Sequence, residues 1–265
     1  MKYRAGFIGC GNMGGTLARA VAKKTGGENI AVCDADVKKA LAIHDEYGAD
    51  VLDIKEIAAS CDYLFLGVKP QVMESVVTGI KDVLAGRQDI VIVTMAAGLG
   101  IDFISSLTGG CRVIRIMPNT PALVGEGMIL CAPGSGIKAE ETEGLKELLS
   151  CAGRIDEINE KLIDAASALS GCGPAYAYMF CEALADGAVE CGIPRDKALL
   201  YASQMLLGSA KMVLEYGAPG TLKDNVCSPG GTTIAGVHAL ESDGFRAAAM
   251  DAVTEAYRRT LELKK

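Results

Sequence analysis

Through the first 158 positions, short and nearly unbroken apolar runs alternate with amphipathic stretches. Ala5-Gly6-Phe7-Ile8, Ile30-Ala31-Val32-Cys33, Tyr63-Leu64-Phe65-Leu66-Gly67-Val68, Ile90-Val91-Ile92-Val93-Thr94 and Val113-Ile114-Arg115-Ile116 read as strands. Runs of this kind suit strands covered on both faces. Met128-Ile129-Leu130-Cys131 and a run over 154–158 add two more, and Val51-Leu52 precedes a short helical piece. Between the runs, apolar residues recur at helical spacing: Leu17, Ala20 and Val21; Val37, Ala40, Leu41 and Ile43; Met73, Val76, Val77 and Ile80; then a helix over 139–149. Strands alternating with helices predict an α/β fold with a doubly wound, mostly parallel sheet.

From Glu160 the strand runs stop and only helical periodicity remains, over 162–170, 175–190, 195–215, 232–240 and 244–263. Gly171-Cys172-Gly173-Pro174 and Gly192-Ile193-Pro194 punctuate these helices as stop and start signals should. The expected division is an α/β domain over 1–158 and an all-helical domain over 159–265. Helices this rich in Ala and Leu have more apolar face than a small domain can cover, which predicts a homodimer built on them.

Gly9-Cys10-Gly11-Asn12-Met13-Gly14 follows the first strand at once and opens the first helix. In that context G-x-G-x-x-G predicts dinucleotide binding: a tight turn, a close approach for the pyrophosphate, and close helix–strand packing. Asp34 ends the second strand, twenty residues after Gly14. An acid there can bind the ribose hydroxyls of NAD and repel the extra phosphate of NADP. It can equally cap the next helix, a role also open to Asp36, while Lys38 and Lys39 can reach a 2′-phosphate. Ligands sit at the carboxyl ends of such strands. That edge includes Val68-Lys69-Pro70, where Lys69 lines the cleft or is a plain surface lysine, and the small residues of Met95-Ala96-Ala97-Gly98. Met117-Pro118-Asn119-Thr120-Pro121 is a turn built by two prolines.

Near the C-terminus, a polar turn with Asn225 leads through Ser228-Pro229-Gly230-Gly231 into Thr232 and Thr233. An apolar helical pattern follows, with Ile234, Val237 and Leu240 on one face. The stretch is either an ordinary turn and cap or an anion site made of free N–H groups, the helix dipole and two hydroxyls.

Composition narrows the picture further. Half of the residues are hydrophobic and 22% are charged, which excludes disorder. A net charge of −7 without a basic stripe gives no support to nucleic-acid binding. The head of the chain, Met1-Lys2-Tyr3-Arg4, runs straight into a strand and predicts no signal peptide, and no apolar run is long enough to span a membrane. Ten scattered cysteines without a C-x-x-C pair read as small hydrophobes in a reducing, cytoplasmic setting. His44 and His238, far apart, offer no zinc site and no His-centred triad, so no metal is expected. His238, Glu241, Tyr176 and Tyr178 read as packing or surface residues.

The motifs Gly9-x-Gly11-Asn12-Met13-Gly14, Val68-Lys69-Pro70-Gln71, Arg115-Ile116-Met117-Pro118-Asn119-Thr120-Pro121, Ser170-Gly171-x-Gly173-Pro174-Ala175-Tyr176 and Ser228-Pro229-Gly230-Gly231-Thr232-Thr233 occur in that order. Together they resemble the pyrroline-5-carboxylate reductase family over nearly the whole chain. The resemblance implies a Rossmann domain followed by a helical dimerisation domain, interlocked in a homodimer that often assembles into decamers. It also implies reduction of L-1-pyrroline-5-carboxylate to L-proline, the last step of proline biosynthesis, with NADPH or NADH. Two positions depart from the pattern. Cys172 replaces the usual serine, and Asp34 stands where NADPH-preferring members carry polar or basic residues, which tilts the expectation toward NADH.

Expected cofactor contacts are therefore Gly9, Cys10, Gly11, Asn12, Met13, Gly14, Asp34, Val68, Lys69, Pro70, Met95, Ala96, Ala97 and Asn225. Substrate contacts are Ser228, Gly230, Gly231, Thr232 and Thr233, with Thr233 as the catalytic residue that orients the ring nitrogen or gives it a proton. One rival is a related two-domain hydroxy-acid dehydrogenase, which needs a base; no lysine lies between Gly173 and Gly187. The other is a non-catalytic paralogue acting as an interaction protein.

Overall fold

The computed structural model describes residues 2–87 and 89–263. Met1 of the segment expected to leave no room for a leader, and Lys264 and Lys265 of the expected helical domain, lie outside the described residues. In chain order the elements are β1 (Tyr3–Ile8), α1 (Asn12–Thr25), β2 (Ile30–Cys33), α2 (Val37–Tyr47), β3 (Asp50–Val51), α3 (Ile54–Ser60), β4 (Cys61–Leu66) and α4 (Pro70–Leu84). They continue as β5 (Val91–Thr94), α5 (Ile101–Leu107), β6 (Arg112–Met117), β7 (Gly127–Pro133), α6 (Ala139–Leu148), β8 (Gly153–Glu157) and α7 (Glu160–Ser170). Five helices follow: α8 (Gly173–Glu190), α9 (Arg195–Tyr216), α10 (Pro219–Asn225), α11 (Thr232–Ser242) and α12 (Phe245–Leu263).

The sheet order is β3-β2-β1-β4-β5-β6-β7-β8, parallel from β3 through β6, with β7 antiparallel to β6 and β8 parallel to β7. Strand residues alternate between two cores. Phe7, Phe65, Val93 and Ile114 join Leu17, Val21, Ile43 and Leu145 on one face. Ile8, Leu64, Leu66 and Ile92 join Met73, Val77, Ile80 and Ile163 on the other. Phe7 and Phe65 stack across β1 and β4 with centroids 4.3 Å apart. Each side chain so buried contributes about 1.5–3 kcal/mol, which is why these runs hold the centre of the sheet. This is the expected doubly wound fold, with the third strand run ending at Leu66 rather than Val68.

Contacts divide the chain after Gly171, with the chain from Tyr257 counted with the first unit and Cys172–Ala256 forming the second. The strands do end where the sequence stops reading as β. Helix α7 nevertheless packs on the sheet through Ile163 and Ala166 and through a buried ion pair, Arg115 on β6 with Asp164, at 2.7 Å. In the second unit, α8 and α9 pack around Ala185, Ala198 and Ala202. That core is small. Met179, Leu200, Leu214 and Met250 are each more than 60% exposed, and α11 buries no residue. Among the described residues, no helix is long and apolar enough to cross a membrane.

Candidate active site

Three glycines make the crossing at the carboxyl end of β1. Gly9 has φ +98°, open to glycine and costly for other residues. A Cβ on Gly14 would lie 2.0 Å from the Gly9 carbonyl oxygen, and one on Gly67 would lie 2.5 Å from the same atom. The start of α1 and the end of β4 therefore approach β1 too closely for any side chain. Gly11 differs, because a Cβ there would meet nothing within 4 Å. Its backbone faces open space at the first turn of α1, which no side chain caps. Free N–H groups beside open space at a helix start fit a pyrophosphate.

Asp34, mostly buried, serves this loop directly. One carboxylate oxygen accepts the N–H of Cys10 at 2.7 Å, and the other accepts that of Asp36 at 2.9 Å. Capping of α2 falls to Asp36, whose side chain accepts from the Lys38 N–H. Lys39 Nζ stands 3.9 Å from Asp34. Cys10, Gly11, Asn12, Thr16, Arg19, Lys38, Lys39, Ala42 and Leu123 line a cleft of about 380 Å³. Of these, the motif predicts Cys10, Gly11 and Asn12. Arg19 and Leu123 join through folding alone: Arg19 is held by Glu46 at 2.6 Å, and Leu123 lies in a short 3-10 turn, Thr120–Val124.

The other expected cofactor residues of the first unit fall along the same sheet edge. Val68 is half-buried past β4, exposed Lys69 precedes α4, and Pro70 is the first residue of that helix. Past β5, Met95 is half-buried, Ala96 buried and Ala97 exposed, and Gly98 turns at φ +78°. Asn225 lies instead in the second unit, at the end of α10. There it lines a cavity of about 310 Å³ with Met212, Tyr216, Gly217, Ala218, Thr221 and Leu222.

The glycine-rich turn of the second unit has its own geometry. Gly230 has φ +68°, and the N–H of Gly231 donates to the Ser228 carbonyl at 3.0 Å, which closes the turn. That donor is therefore engaged within the turn. The next N–H groups, on Thr232, Thr233 and Ile234, open an eleven-residue helix with no side-chain cap. Ser228, Thr232 and Thr233 are exposed, so three hydroxyl-bearing residues stand at the surface around the start of this helix.

The ten cysteines are free thiols. Cys10, Cys61 and Cys131 are buried, Cys172 and Cys191 exposed, and the rest half-buried, so fewer are fully enclosed than a reading as small hydrophobes implies.

Comparison with known proteins finds two family profiles. One, described as pyrroline-5-carboxylate reductase dimerisation, matches residues 160–263; the other, described as NADP oxidoreductase coenzyme F420-dependent, matches residues 4–98. Pyrroline-5-carboxylate reductase of Escherichia coli (strain K12) is 41% identical, covering 100% of both chains. The Arabidopsis thaliana enzyme of that name is 41% identical over 100% of this chain and 96% of its own. Among solved structures, a pyrroline-5-carboxylate reductase from Coxiella burnetii superposes with a TM-score of 0.92 at 30% identity, covering 100% of both chains. Plasmodium falciparum pyrroline carboxylate reductase with NADP bound superposes at 0.85 with 31% identity, again covering 100% of both.

Proposed function

The chain belongs to the pyrroline-5-carboxylate reductase family, and on that premise we propose that it reduces L-1-pyrroline-5-carboxylate to L-proline, the last step of proline biosynthesis. The observation that carries this reading is that one chain holds two complementary anion-binding starts. Gly11 opens a helix to a dinucleotide pyrophosphate, and the uncapped start of α11 presents free N–H groups beside two hydroxyls.

The substrate carries a carboxylate beside a C=N bond. A hydride adds to the imine carbon, the π electrons move to nitrogen, and a proton completes the secondary amine. When bound, the nicotinamide supplies that hydride. The chain's own task is to bind, orient and exclude water. The N–H groups of Gly230, Thr232 and Thr233 hold the carboxylate, with Ser228 beside them. The Thr233 hydroxyl orients the ring nitrogen, directly or through water; as a weak acid it serves better as an orienting group than as the proton source.

The cofactor preference follows from Asp34, whose carboxylate at the end of β2 favours the ribose hydroxyls of NADH over the 2′-phosphate of NADPH. The exposed apolar faces of α8, α9 and α12 support a homodimer through the helical unit, with decamers as the family's further assembly. Ten free thiols suit a reducing cytoplasm. Hydroxy-acid oxidation finds no support, because α8 carries no lysine to act as base.

The test is oxidation of NADH and of NADPH by pyrroline-5-carboxylate, followed by absorbance, together with rescue of a proline auxotroph. Turnover with proline as product is expected. A folded chain that oxidises neither cofactor and rescues nothing is a non-catalytic paralogue.

A further inference from the structure

Asn119 lies two residues past the end of β6 and commits both ends of its side-chain amide to backbone. Its Nδ2 donates to the Ser170 carbonyl at 2.9 Å, and its Oδ1 accepts the N–H of Met128 at 2.9 Å. One side chain thus ties the end of β6 and the start of β7 to the last turn of α7. Arg115 and Asp164, each 3% exposed, form a second tie between β6 and α7. Two anchors, six residues apart on the helix and four apart on the strand side, fix α7 in both position and rotation. Without Asn119, the nearest side-chain hydrogen bond from α7 to β6 would be that of Arg115 to Asp164, six residues or about 1.7 turns away.

The strand order gives this tie a place in the chemistry. On the reductase reading Asp34, just past β2, marks the adenosine side of the cleft. On that reading, the ends of β4, β5 and β6, on the far side of β1 from Asp34, would hold the nicotinamide half of a bound dinucleotide, and Asn119 follows the last of these strands. The Ser170 hydroxyl, on the residue Asn119 holds, is buried with no hydrogen-bond partner among the described residues. Such an orphan group calls for a reason. Asn119 fixes the residue that carries it through that residue's own carbonyl.

We propose that Asn119 is a positioning residue for hydride transfer, acting by fixing the Ser170 end of α7 at the nicotinamide end of the cleft. The proposal rests on the reductase reading above.

Two variants and two measurements test it. Asn119→Ala removes both bonds; Asn119→Asp keeps the acceptor for Met128 and turns an oxygen toward the Ser170 carbonyl. By amide hydrogen exchange, the backbone over 167–171 should exchange at least about ten-fold faster in Asn119→Ala, while the β1–α1 region keeps its protection. With cofactor deuterated at the transferred position, kcat should fall at least about ten-fold and its isotope effect should rise, with cofactor Kd within about two-fold of wild type. Simple loss of folded enzyme would lower kcat without moving the isotope effect or KM. Unchanged exchange over 167–171, a kcat within about two-fold of wild type, or a lower kcat with an unmoved isotope effect would each overturn the proposal. A wild-type chain with no turnover removes the reductase reading and the catalytic half of this one. The exchange data then still decide whether the tie exists.

Discussion

Asp34 accepts the backbone N–H of Cys10 at 2.7 Å, so the acid that we propose for the ribose also braces the glycine loop. Its second oxygen is bonded to the Asp36 N–H at 2.9 Å, and Lys39 Nζ, 3.9 Å away, offsets part of its charge. A carboxylate oxygen can accept more than one hydrogen bond, so bracing leaves room for a ribose hydroxyl.

This double role separates two substitutions at one position. Asp34→Asn removes the charge but keeps an acceptor for Cys10. It should raise kcat/KM for NADPH relative to NADH by about ten-fold, equivalent to about 1.4 kcal/mol. Asp34→Ala loses the brace as well and should weaken both cofactors. Steady-state kinetics with each cofactor checks this; an unmoved ratio in the Asn variant would show that discrimination lies elsewhere.

Arg115 and Asp164 form a buried pair at 2.7 Å, with Glu160 a weaker second partner of Arg115 at 3.6 Å. Removing one member leaves a charge in a place water cannot reach. Asp164→Ala should cost about 3–5 kcal/mol of stability, whereas the double replacement Arg115→Met, Asp164→Leu should cost far less. Urea unfolding of the single and double variants reads the difference. Equal losses would mean that packing, and not the stranded charge, sets the cost.

Burial pushes the Cys10, Cys61 and Cys131 thiols from 9.0 up to about 12, and Cys33 up to about 11. Above pH 9 the unfolded thiols release protons that the folded ones keep. The stabilisation is therefore complete below that pH and is lost as pH climbs toward the folded values. Each thiol should lower stability by about 1.4 kcal/mol per pH unit in that window. The urea midpoint of wild type should fall more steeply between about pH 9 and 11 than that of a Cys61→Ala, Cys131→Ala variant. Parallel slopes would remove the thiols from the alkaline limb.

Where sequence sufficed and where it did not follows from the range of the interactions. The central strands are apolar runs because both faces are covered, and Gly9 and Gly14 advertise a crossing that only glycine allows, so these were legible. Helix α5 was not. It has seven residues, starts after Gly100, and its first N–H is capped at 2.7 Å by Glu160, fifty-nine positions away. Helix α10 was hidden by Gly217, by Ala218 at φ 39° and by Pro219-Gly220, a sequence that reads as loop, and it buries no residue. The attachment of α7 to the sheet depends on Asp164 meeting Arg115, which no local pattern announces. Asn119 was visible as part of a proline-flanked turn, but its hold on Ser170 exists only once β6 and α7 lie side by side.

Thr233 is the second residue of α11, exposed, with a hydroxyl that no described group engages. A hydrogen bond to a charged group contributes about 1.5–3 kcal/mol, so Thr233→Val, which keeps the shape and removes the oxygen, should lower kcat/KM by about ten- to a hundred-fold. Thr233→Ser should recover most of the loss. The two kinetic constants then divide the role. A rise in KM alone means the hydroxyl helps hold the ring before reaction, while an equal fall in kcat and kcat/KM means its bond to nitrogen strengthens as the hydride arrives. Thr232→Val serves as the neighbour control, since its N–H remains when its hydroxyl is lost. If that variant is the slower of the two, the orienting hydroxyl belongs to Thr232, the first residue of the helix, and Thr233 contributes only its backbone.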